Sequence, residues 1–186
     1  MKEKFFTIDG LVAGEIVEKK SRFIAQICHV ESEDEALTFI ADVKKEHIQA
    51  RHNVYAYIVG AQSSATQRIR FTDDGEPSQT AGKPTLETLQ HASLCNVACV
   101  VTRYFGGTLL GTGGLVRAYS GAVKAAIENA QAEGLYHEVV EYDEKVETCS
   151  YSAFEQLKRI IEQQNGIILN VDYAEEVTVQ FKVPKA

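Results

Sequence analysis

Asn96-Val-Ala-Cys-Val-Val-Thr-Arg-Tyr-Phe-Gly-Gly-Thr-Leu-Leu-Gly-Thr-Gly-Gly-Leu-Val-Arg117 is the stretch on which the fold turns. Asn96 to Thr102 is a short run that is apolar on both faces, which predicts a strand buried between two layers. A glycine-rich loop follows. Val116, Tyr119, Val123, Ile127 and Ala130 then recur at helical spacing, predicting a helix from about Leu115 to Ala132 with Gly134 as its stop.

Working outward, Leu11 to Val17 and Arg22 to Val30 read as strands, with Lys19-Lys20-Ser21 as a polar connection. Ser32 and Glu35 form a capping box ahead of Ala36, Leu37, Ile40, Val43 and His47, so a helix follows. Asn53 to Gly60 is a strand, and the alternating Arg68-Ile-Arg-Phe-Thr72 is its hairpin partner. After a loop over 73–83, Pro84 starts a helix whose inner face carries Leu86, Leu89 and Ser93.

Beyond Gly134 the pattern reads strand, helix, strand, strand. Ser152 with Glu155 is a second capping box, Asn165-Gly166 ends the helix, and Ile167–Tyr173 and Val177–Val183 are strand-like. Residues 1–135 carry 14 Lys/Arg against 16 Asp/Glu, and residues 136–186 carry 5 against 10. The jump in acidity sets a domain boundary near 135, giving two α+β domains, 1–135 and 136–186. Three strands and one helix bury little surface for an autonomous domain, so the second domain either packs on the first or lacks a further piece.

The 186 residues are 45% hydrophobic and 24% charged, ordinary globular usage that excludes a disordered or fibrous chain. No run of 18 apolar residues occurs, so no membrane-spanning helix is expected. The acid at Asp9 interrupts any signal-peptide apolar region. Four cysteines without a C-x-x-C pair fit reduced thiols in the cytoplasm, with Cys99 serving as packing inside its strand. A net charge of −7 excludes broad coating of nucleic acid and confines any such contact to a local patch.

Two segments are candidates for function. Five of the chain's 13 glycines fall at Gly106, Gly107, Gly111, Gly113 and Gly114, between a strand and a helix. Free N–H groups and a positive helix end there suit an anion, and Arg103, Arg117, Lys83 and Lys124 would add charge. The pattern departs from both standard phosphate fingerprints: position 116 is Val where a third glycine would stand, and no Gly-Lys-Ser/Thr occurs. The competing reading is a tight crossover that only packs. The second segment is Thr72-Asp-Asp-Gly-Glu-Pro-Ser-Gln-Thr-Ala-Gly-Lys-Pro84. Asp73, Asp74 and Glu76 would hold Mg²⁺, act as bases, or shape turns and pair with Arg68, Arg103 or Arg117. His29, His47, His52, His91 and His137 show no zinc spacing. His47 belongs near a helix end and His52 in a structural hydrogen bond.

Thr72 to Pro84, followed by Val101-Thr-Arg-Tyr-Phe-Gly-Gly107 and Leu110-Gly-Thr-Gly-Gly-Leu-Val-Arg-Ala-Tyr119, closely resembles the YigZ/Impact family. Lys20-Ser-Arg-Phe23, His52-Asn53 and Ala56-Tyr57 fit the same pattern. The resemblance implies an N-terminal domain like domain 2 of ribosomal protein S5. It also implies a ferredoxin-like C-terminal domain similar to one in elongation factor G, cut short after its third strand. Eukaryotic relatives of the first domain regulate translation under amino-acid starvation. The glycine loop with Arg103 and Arg117, taken with that link to translation, makes the preferred expectation a non-enzymatic, translation-associated regulator that binds RNA or a ribosomal surface through this cleft. No cofactor and no membrane partner are expected. Two alternatives stay open: a Mg²⁺-dependent enzyme acting on a phosphorylated small molecule, and a protein-interaction module whose motifs only shape the fold.

Overall fold

Val97, Cys99 and Val101 face one hydrophobic core, while Ala98 and Val100 between them face another. Their strand is therefore covered on both sides, as its unbroken apolar text requires. The computed structural model describes residues 4–60 and 65–185. It separates into two units that meet between Val139 and Val140 in the sequence.

The first unit runs β1 (Phe5–Ile8), β2 (Leu11–Glu18), β3 (Ser21–His29), α1 (Glu33–Glu46), β4 (His52–Val59), β5 (Arg68–Thr72), α2 (Gly82–His91), β6 (Val97–Tyr104), α3 (Gly111–Ala132) and β7 (Tyr136–Val139). Five strands form one antiparallel sheet in the order β2-β3-β6-β4-β5, with β6 at its centre. Helices α2 and α3 cover one face and α1 part of the other. The predicted pairing of β4 with β5 is present, from Tyr55↔Thr72 to Val59↔Arg68.

Helix α3 lies close on β2 because both present small residues. A Cβ at Gly14 would stand 2.1 Å from Ala126 N. Ala118, Ala122, Ala126 and Ala130 make the buried stripe with Leu115, Tyr119, Val123 and Ile127. Val116, predicted on that stripe, is 37% exposed. The helix also begins at Gly111 instead of near Leu115, so Gly111, Gly113 and Gly114 lie in its first turn.

Three other boundaries differ from the sequence reading. Helix α2 starts at Gly82, before Pro84, because Asp73 caps it from outside; it ends at His91, so Ser93 lies beyond it. The Ser32 box forms, although Glu35 reaches back to Glu31 N. β7 pairs with β1, Ile8↔Tyr136 to Phe5↔Val139, so residues 136–139 belong to the first unit and the division falls after Val139.

The second unit contains β8 (Tyr142–Cys149), α4 (Tyr151–Gln163), β9 (Ile167–Tyr173) and β10 (Val177–Pro184). Strand β10 lies between β8 and β9 and is antiparallel to both, a split β-α-β arrangement of the ferredoxin-like kind. Phe154 and Ile161 of α4 pack on Val177, Val179, Phe181 and Val183. The Ser152 capping box does not form. Ser150 is the extended residue ahead of the helix, and Ser152 lies in the first turn with its hydroxyl against that of Ser150.

Candidate functional site

The three acids of the 72–84 segment serve three different sets of donors. Asp73 accepts from the backbone N–H groups of Gln79 (2.8 Å), Ala81 (3.0 Å) and Gly82 (2.8 Å), supplying the cap that Ala81 lacks. Asp74 accepts from Asn53 N (2.7 Å) and from Lys44 Nζ (3.2 Å). Its backbone carbonyl accepts from His52 Nδ1 at 2.8 Å, the structural bond expected of that histidine. Glu76 is buried and accepts from Arg103 Nη1 (2.6 Å) and Tyr119 Oη (2.8 Å).

This geometry agrees with the turn-and-pairing reading of the acids and turns Arg103 away from the role expected of it. Asp73, Asp74 and Glu76 do not converge, and among the described residues no group of three His, Cys, Asp or Glu is placed to hold a metal. Arg103 is also not an anion receptor. It is 6% exposed, its charge is matched by Glu76, and its guanidinium lies 5.4 Å from the Phe23 ring centre and 5.6 Å from that of Phe105. Alternation along β6 turns Arg103 to the same face as Val101 and Cys99, under the helices, where a lone charge would be costly. Burial, with Glu76 alongside, holds the Tyr119 proton far above the usual phenol range, so Tyr119 stays a donor. Burial does the same to the Cys99 thiol, consistent with packing.

The glycine loop divides in two. Gly106 is demanded by the fold: a Cβ there would lie 2.0 Å from the Lys20 carbonyl carbon, and its N–H donates to Ser21 Oγ at 3.1 Å. Gly107 and Gly111 have positive φ, +89° and +73°, and open space around them. Gly114 is buried against Leu110. Gly113 has no such reason: its φ is ordinary, and a Cβ would meet only Arg117 Nη1, at 3.5 Å. Arg117 is exposed and thus lies over the bare first turn of α3. That turn has no side-chain cap and no acidic residue.

The remaining predicted cations lie elsewhere. Lys83 is on α2, 3.8 Å from Glu87. Lys124 lines a cleft between α2 and α3 with Thr88, His91, Ala92, Ile127 and Glu128. It is seven residues beyond Arg117, about 10 Å along the axis. His47 caps the end of α1 and bonds Tyr104 Oη at 2.9 Å. The sequence reading assigned Tyr119 to packing alone. The signal available was its hydroxyl, which a buried tyrosine must give to some acceptor.

These features define an Impact-type domain, in which an acidic loop is clamped under a glycine-rich strand-to-helix junction, followed by a split β-α-β unit. Residues 19–127 match the Impact N-terminal domain family, and residues 148–186 match a domain of unknown function, DUF1949. The chain is 38% identical to IMPACT family member YigZ of Escherichia coli over 168 residues, covering 90% of this chain and 80% of that one. It is 48% identical to an IMPACT family member of Haemophilus influenzae over 115 residues, which is 62% of this chain and 55% of that relative's length. A crystal structure of a hypothetical protein superimposes with a TM-score of 0.68 at 35% identity, covering 99% of this chain and 87% of that chain. The chain belongs to the IMPACT family.

Proposed function

We propose that this chain is a translation-associated regulator that binds RNA phosphate at the start of α3. The observation that carries the reading is the contrast between two helix ends. Helix α2 has its first N–H groups capped by Asp73. Helix α3 starts without a side-chain cap or an acid, and Arg117 lies over its first turn. A cation beside the positive end of a helix is unfavourable unless an anion joins them, and a phosphate satisfies both. Phe105, 52% exposed beside the loop, offers a ring for a base to stack on. The family's link to translation supplies the setting.

Gly113 supports the same reading. Inside a helix, glycine is about 1 kcal/mol worse than alanine, and no neighbour among the described residues requires it. A bare backbone there lets a ligand approach closely. Gly113→Ala is expected to raise the unfolding free energy by up to ~1 kcal/mol while weakening RNA binding. Arg117→Ala is expected to keep the fold and to make the log–log salt slope of binding shallower by about one. Fluorescence titration of a labelled RNA hairpin at two salt concentrations, with denaturation curves for both variants, checks these outcomes. Absence of binding at low salt, or wild-type affinity in Arg117→Ala, contradicts the reading.

A further inference from the structure

Two lysines occupy a turn that other residues would fit better. β2 and β3 pair down to Glu18↔Ser21, which leaves Lys19-Lys20 as a two-residue hairpin loop. Both have positive φ, +46° and +66°. Paired left-handed residues define a type I′ turn, where Asn-Gly, Asp-Gly or Gly-Gly is favoured because a Cβ crowds the following carbonyl. Both lysines are exposed, and neither forms an ion pair within 4.0 Å among the described residues. Among the described residues no ion pair compensates for the strained choice of lysine.

The position of the turn supplies a reason. Gly106 packs directly on the Lys20–Ser21 backbone. Along β2, Gly14 meets Ala126 and Ile16 meets Gly121. Two strand residues, about 6.6 Å, therefore match five helix residues, about 7.5 Å. A further equal step places Glu18 near Val116, the residue before Arg117, and the turn beside the first turn of α3. Arg22 is already committed to Glu15, by bonds of 2.6 and 2.9 Å. Lys19, Lys20 and Arg117 outnumber Glu18 at this end of the helix.

We infer that the Lys19-Lys20 turn is a second phosphate-binding arm, so that RNA is held from both sides of the glycine loop. The inference rests on the RNA reading above. It is tested by melting curves and by titrating a labelled RNA hairpin at about 50 and 200 mM salt, with the full chain. The chains compared are wild type, Lys19→Asn/Lys20→Gly and Arg117→Ala. The turn variant is expected to melt a few degrees higher, to bind roughly tenfold more weakly at low salt, and to lose about two units of log–log salt slope. A turn variant with wild-type affinity and slope, beside a weakened Arg117→Ala, overturns the lysine arm and leaves the RNA reading standing. Failure of the wild type to bind removes both. A turn variant that melts lower assigns the lysines to the fold and overturns the inference. Displacement of RNA by polyglutamate as readily as by unlabelled RNA does so too, in favour of an acidic protein surface.

Discussion

Arg103→Ala is expected to lower the unfolding free energy by about 3–5 kcal/mol. Glu76, its side chain 4% exposed, would then be buried with the Tyr119 hydroxyl as its one side-chain donor among the described residues. The loss goes beyond one ion pair. Arg103 also fills the space beside Phe23 and Phe105, and through Glu76 it ties the 72–84 loop to β6 and α3. Replacing both partners, as Arg103→Met/Glu76→Leu, is expected to recover much of the loss, because an apolar pair leaves no uncompensated charge. The chain has no tryptophan, so urea unfolding is best followed by circular dichroism. A loss under about 1 kcal/mol would place the pair among exposed salt bridges and contradict its burial.

Gly14→Ala is expected to cost about 3 kcal/mol, the upper part of the range for overpacking, and to lower Tm by roughly 10 °C. The added methyl would stand 2.1 Å from Ala126 N and 2.6 Å from Ala125 C, both backbone atoms of α3. No side chain can turn aside, so the helix must withdraw from β2 along its alanine stripe. An unchanged melting curve would show that α3 and β2 are not in the close register described.

The central strand was legible because an apolar run on both faces has one common solution, a covered strand in mid-sheet. Its hairpin neighbours followed from alternation. The start of α3 was hidden, because three glycines in a helical turn look like loop when propensity is the guide. β1 and β7 were hidden for another reason: each has four residues, and their pairing joins positions more than 120 residues apart. In the motif segment, the choice of pairing with Arg103 over a metal site could not be read from spacing. It depends on Arg103 facing inward beneath α3, where Tyr119 and Glu76 meet it. Lys19-Lys20 was read as a polar connection because only the two-residue loop length shows the left-handed geometry.

The motif residues thus divide between two tasks. Asp73, Asp74, Glu76 and Arg103 hold the junction together from within, and the exposed amides and cations around α3 face outward. The most direct test is the salt dependence of RNA binding by Lys19→Asn/Lys20→Gly/Arg117→Ala, which leaves the inner clamp untouched. Binding with a log–log slope shallower by about three, in a chain that melts no lower than wild type, is the predicted result. Wild-type slope and affinity in that variant would contradict the account.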